Sequence, residues 1–118
     1  MTVHILVVDD NDDLRGVFRL LLKEFEVVEA SNGLEALSSY KKSKPELVLM
    51  DILMPEMDGI VATKKILEMD PKAQIIAITA YSTRSNEILD AGALDVLKKP
   101  IRKAELLKKI NEYIDKTK

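Results

Sequence analysis

The 118-residue chain predicts an α/β fold, a doubly wound five-stranded parallel sheet with helices on both faces. Three observations carry that expectation. Short apolar runs alternate with helix-period segments from one end to the other. The runs Ile5-Leu6-Val7-Val8, Leu47-Val48-Leu49-Met50 and Ile75-Ile76-Ala77-Ile78 are continuously apolar, as strands covered on both faces are. Two others, Glu26-Val27-Val28-Glu29-Ala30 and Asp95-Val96-Leu97-Lys98, carry charges that suit sheet edges. With right-handed crossovers the strand order is 2-1-3-4-5, and the chain reverses direction between strands one and three.

The elements follow in turn. After the first strand, Leu14, Val17, Phe18, Leu21, Leu22 and Phe25 recur at three- and four-residue spacing and predict a helix over 12–25 with one buried stripe. The second helix starts at Asn32-Gly33 and stops before Lys44-Pro45; the third starts after Asp58-Gly59 and stops at Asp70-Pro71, because a residue before proline disfavours helix. Residues 82–90, ended by Gly92, have only Ile88 and Leu89 to bury and predict the weakest helix. The last helix, 102–115, is expected to bury Ala104, Leu107, Ile110 and Ile114.

The length allows one domain, 1–118, with no repeats or linkers. Hydrophobic content of 47% and charged content of 32% fit a globular protein, and a formal charge of −2 asks for neither nucleic acid nor a membrane surface. Absence of cysteine excludes a disulfide framework and a thiolate metal site. The N-terminus has no basic region and enters a strand of about five apolar residues, too short to span a bilayer. The default expectation is a cytoplasmic protein.

Ligands of open α/β sheets bind outside the carboxyl ends of the strands. Asp9-Asp10, Asp51, Thr79-Ala80, Lys99 and Pro100 all fall there. Taken alone, Asp51 reads as a turn residue, Asp9 and Asp10 as helix caps that Asn11 or Asp12 could replace, and Lys99 and Thr79 as ordinary strand-end residues. Together they form a different pattern. Clustered carboxylates repel unless a cation neutralises them, and oxygen ligands without His or Cys point to Mg²⁺. His4, the single histidine, lies at the far end of the first strand and is expected on the surface. Lys99 can bind phosphoryl oxygens, the Thr79 hydroxyl can donate to one, and an X-Pro bond at this turn is a candidate for the cis form.

At these residues the chain resembles the receiver domain of two-component response regulators, of the single-domain chemotaxis and sporulation-phosphorelay type with a flavodoxin-like fold. The resemblance rests on Val7-Val8-Asp9-Asp10, on the segment Asp51-Ile52-Leu53-Met54-Pro55-Glu56-Met57-Asp58-Gly59, on Thr79-Ala80, on Ala91-Gly92-Ala93 and on Lys99-Pro100, and it covers essentially all of the chain. It implies that Asp51 is the phosphoacceptor, that Asp9, Asp10, Asp51 and the carbonyl of Leu53 hold Mg²⁺, and that Lys99 and Thr79 contact the phosphoryl group. It implies a phosphohistidine donor on a sensor histidine kinase or histidine phosphotransfer protein, a downstream target protein and a partner phosphatase; with no output domain attached, the expected monomer signals by protein contact or by onward phosphotransfer. Such a chain is no turnover enzyme and catalyses only its own phosphorylation and dephosphorylation. Leu53 and Tyr81 occupy the two positions that tune water access in the family; one branched and one aromatic, they predict a long-lived phosphoprotein. Where the family places Tyr or Phe three residues before the lysine, this chain has Val96, stiff and small, which puts the aromatic half of the switch in question.

Two rival chemistries fit less well. A flavodoxin-like electron carrier must cradle a phosphate after the first strand, where Asp9-Asp10-Asn11-Asp12-Asp13 would repel it. An aspartate-nucleophile phosphatase needs a general-acid carboxylate two residues after the nucleophile, and that residue is Leu53. A receiver-like binding module that takes no phosphate would not need Asp10, Asp51, Thr79 and Lys99 together. An exposed face around Leu14, Arg15 and Phe18 is the expected kinase dock.

Overall fold

The computed structural model describes residues 2–114. Along the chain run β1 (His4–Val8), α1 (Asp12–Leu21), β2 (Glu26–Ala30), α2 (Gly33–Ser43), β3 (Leu47–Asp51), α3 (Gly59–Met69), β4 (Ile75–Thr79), a 3-10 turn (Ser82–Arg84), α4 (Ser85–Asp90), β5 (Asp95–Lys98) and α5 (Lys103–Ile114). The sheet is parallel throughout in the order β2-β1-β3-β4-β5, with the charged strands at its edges as expected. Among the described residues no helix is long and apolar enough to cross a membrane.

Strand alternation sorts the core into two layers. Ile5, Val7, Leu47, Leu49, Ile76, Ile78 and Leu97 face Phe18, Leu22, Leu106, Ile110 and Ile114, so α1 and α5 cover one side. Leu6, Val8, Val48, Met50, Ile75 and Ala77 face Ala36, Tyr40, Ile60, Ala62, Ile66 and Ile88, so α2, α3 and α4 cover the other. Burial on both faces is why the central strands read as unbroken apolar runs.

Packing corrects the helix readings in three places. α1 ends at Leu21 with Leu22 as its C-cap, and Phe25 reaches the same core from a turn in which its N–H donates to the Leu22 carbonyl. The apolar spacing therefore outlasts the helix, because the returning chain packs against the layer that α1 covers. Val17 lies on the exposed side of α1. In α5 the buried stripe is Leu106, Ile110 and Ile114, with Leu107 on its flank and Ala104 exposed, because the face that packs on the sheet is centred on Leu106 and Ile110. The expected end of that helix at residue 115 lies outside the described residues. The helix expected over 82–90 is instead a 3-10 turn over Ser82–Arg84 followed by the six-residue α4, and of its two apolar residues Ile88 is buried while Leu89 is 40% exposed.

One core position is chemically mismatched. Thr63 on α3 is fully buried and its hydroxyl has no hydrogen-bond partner. A buried unsatisfied hydroxyl costs about 1–3 kcal/mol, and valine has nearly the same shape. Thr63→Val is expected to raise stability by about 1 kcal/mol, read as a higher urea midpoint at unchanged slope.

Candidate functional site

Register gathers the site. Val8 pairs with Met50, so Asp9 is level with Asp51; Asp51 pairs with Ile78, and Thr79 with Lys98, so Thr79 stands one step and Lys99 two steps further along. All four lie at the carboxyl edge of the sheet, with Asp9 and Asp51 at the crevice where the strand order reverses.

Local structure frees the acidic residues for that crevice. Asn11 caps α1 by accepting from the Leu14 N–H, a task that Asp9 and Asp10 are therefore spared. Asp9, 1% exposed, accepts from the Asn11 N–H at 3.0 Å and from Lys99 Nζ at 3.2 Å. Asp51, 7% exposed, lies 3.6 Å from the same ammonium. Asp10 is at the mouth, and one carboxylate oxygen from each of Asp9, Asp10 and Asp51 falls within 4.8 Å of the others. The Lys99–Pro100 bond is cis, with the Lys99 side chain between Asp9 and Asp51.

Electrostatics follow from this crowding. Burial, then Asp9, and to a smaller degree Asp10, push the Asp51 carboxyl up to about 6 against the pull of Lys99 and the Ile52 N–H. One lysine does not neutralise three carboxylates. The donor set is all oxygen, compact and over-charged, which fits a hard divalent cation such as Mg²⁺. The loop after Asp51 is closed by backbone bonds from the Gly59 N–H to the Ile52 carbonyl and from the Met57 N–H to the Pro55 carbonyl. His4 stands at the opposite end of β1, its Nδ1 4.0 Å from the Glu46 carboxylate.

Thr79 is buried and turned toward its own loop: its hydroxyl donates to the Tyr81 carbonyl at 2.8 Å and accepts from the Tyr81 N–H at 3.1 Å. Leu53 and Tyr81 are 50% and 63% exposed, and with Ile52, Thr79, Thr83 and Arg84 they line a cavity of about 80 Å³ between the loops that follow Asp51 and Thr79. Val96 is half-buried against the core layer that α4 shares, and so belongs to the sheet packing rather than to the pocket.

The face expected to dock a kinase is not built as the sequence suggested. Phe18 is core, and Arg15 turns inward to the Asp9 carbonyl, Asp12 and Glu29. That makes Arg15 a brace of the loop carrying Asp9 and Asp10, a role the sequence signalled only by its spacing from them. Gly59, after which α3 was expected to start, is its first residue, and a Cβ there would sit 2.0 Å from the Asp51 carbonyl oxygen. The left-handed residue of this loop is Glu56, with φ of 68°.

A doubly wound sheet with an acidic, lysine-bridged pocket at its switch point has the architecture of a receiver module. Residues 5–111 match the response regulator receiver domain family, and the chain belongs to it. It is 43% identical over 120 residues to the chemotaxis protein CheY of Bacillus subtilis, covering 98% of this chain and all of that one. A CheY-like response regulator receiver domain protein from Methanospirillum hungatei superposes with a TM-score of 0.93 at 30% identity, over 98% of this chain and 96% of that one. The receiver domain of a sensor histidine kinase from Pseudomonas aeruginosa, with a magnesium ion coordinated in the active site cleft, superposes with a TM-score of 0.91 at 30% identity, over 98% and 99% of the two chains.

Proposed function

We propose that the chain is a cytoplasmic phosphoacceptor signalling module of a two-component system, in which Asp51 takes a phosphoryl group from a phosphohistidine in a Mg²⁺-dependent reaction. The observation that carries the reading is the buried Asp51 carboxylate beside Asp9 and Asp10 with Lys99 between them. The Asp9, Asp10 and Asp51 carboxylates and the Leu53 carbonyl would hold Mg²⁺. When bound, the ion supplies the charge neutralisation that lets a dianion approach three carboxylates.

An Asp51 carboxylate oxygen attacks phosphorus, the O–P bond forms as the N–P bond of phosphohistidine breaks, and the imidazole leaves with the electron pair and takes a proton from solvent. Lys99 already stands where the new phosphoryl oxygens need a cation, and positioning with charge stabilisation is most of what phosphoryl transfer requires. For Thr79 to donate to a phosphoryl oxygen its hydroxyl must leave the Tyr81 carbonyl, which ties the chemistry at Asp51 to the segment leading into α4. The partners are a sensor histidine kinase or histidine phosphotransfer protein on the donor side, a target protein, and a phosphatase; the chain acts as a monomer and binds neither nucleic acid nor membrane.

The test is incubation with acetyl phosphate and Mg²⁺ followed by intact mass measurement. The parent is expected to gain one phosphate; Asp51→Asn, or the parent in EDTA, is expected to gain none. Equal incorporation in Asp51→Asn would remove the assignment.

A further inference from the structure

α4 is weakly anchored by ordinary means. It has six residues, buries Ile88, and begins at an N-cap position, Arg84, whose side chain makes no cap bond. That side chain does something else. Its Nη1 lies 3.4 Å from Asp58 Oδ2 and its Nη2 lies 3.2 Å from Glu87. Asp58 is itself fixed, because its other oxygen accepts from the Ile60 and Val61 N–H groups as the cap of α3. The Arg84–Asp58 pair therefore joins the segment after Thr79 to the end of the loop that opens at Asp51. Arg84 also walls the cavity shared by Leu53, Thr79 and Tyr81.

We propose that Arg84 is a positioning residue for the phosphorylated site, its ion pair with Asp58 holding closed the wall through which water reaches the acyl phosphate. This rests on the assignment of Asp51 as phosphoacceptor. In the hydrolysis that it restrains, water adds to phosphorus, the bond from phosphorus to the Asp51 oxygen breaks, and the carboxylate and inorganic phosphate separate with the water's proton released to solvent. Leu53 and Tyr81 alone do not fix the width of that opening, since each is at least half exposed and they stand on different loops. The pair between Arg84 and Asp58 is a side-chain link that spans those two loops.

The experiment is a double-mutant cycle on the lifetime of the phosphorylated chain, prepared with acetyl phosphate and Mg²⁺ and freed of donor. Asp58→Asn keeps an oxygen for capping α3 and removes the charge; Arg84→Gln removes the cation. A pair with side chains 34% and 28% exposed supports no more than about a fivefold effect, so each single variant is expected to decay about three- to fivefold faster than the parent. The double variant should decay no faster than either single one, and Arg84→Lys should stay near the parent. In the parent alone, about 0.5 M salt should shorten the lifetime while leaving Arg84→Gln unmoved, a readout that needs no folded double variant. Parent-like lifetimes in the single variants, effects that multiply in the double variant, or a salt-insensitive parent would overturn the proposal. A parent that takes up no phosphate would instead overturn the reading of Asp51.

Discussion

In EDTA at pH 7.5, Asp51→Asn is expected to be more stable than the parent by up to about 3 kcal/mol, with the difference gone below pH 4. The folded Asp51 carboxyl is raised to about 6 from an ordinary 3.8, chiefly by burial and then by Asp9. A raised acid binds its proton more tightly folded than unfolded, so its charged form opposes folding. The sign is therefore that stability falls as pH rises from about 4 through about 6, and is regained on acidification or on replacement by a neutral amide. Carboxylates outside the pocket add their own pH dependence, which cancels when parent and variant are compared at each pH. Mg²⁺ should narrow the gap, because a cation that binds the folded parent stabilises it in proportion to the logarithm of its concentration. Urea midpoints at several pH values, with and without Mg²⁺, measure all of this. A variant no more stable than the parent at pH 7.5 would show that Lys99 already neutralises the cluster.

Gly59→Ala is expected to destabilise the chain by at least about 2 kcal/mol, or about 10 °C in melting temperature, although alanine is the better helix former. The added Cβ would stand 2.0 Å from the Asp51 carbonyl oxygen and 3.0 Å from the Ile52 Cα, both backbone, so no side chain can step aside. α3 would have to move off the end of β3 and weaken the 2.8 Å bond from the Gly59 N–H to the Ile52 carbonyl. That bond closes the loop bearing the Leu53 carbonyl. Mg²⁺ affinity should therefore fall by more than stability alone explains, and calorimetric titration of the still-folded variant at low temperature checks it. Unchanged melting together with unchanged affinity would mean that the close approach is not needed.

Much of the candidate site was legible because a parallel sheet leaves little choice about where strand ends go. Once Ile5–Val8 and its two partners read as central strands, Asp9, Asp10, Asp51, Thr79 and Lys99 could not be far apart. Asn11 was legible as a cap for the same reason: cap chemistry is local. What periodicity could not resolve was which of two apolar rows on α5 faces the sheet, or that Phe25 is buried from a turn rather than a helix. Both depend on the shape of the layer opposite, and no window of the sequence contains it.

By itself, then, the order of charged and apolar segments determined the strand order, the edge strands and the five strand-end residues of the pocket, since backbone pairing and two-sided burial act through local pattern. Tertiary structure alone decided the rest. It set Lys99 between Asp9 and Asp51, turned the Thr79 hydroxyl onto the Tyr81 carbonyl, drew Arg15 inward, seated Gly59 on the Asp51 carbonyl and tied Arg84 to Asp58. Each of these is a contact of a few ångströms between different elements or at the end of one. Such contacts depend on side-chain direction and helix placement, which follow from how two packed layers fit and not from the spacing of residues along the chain.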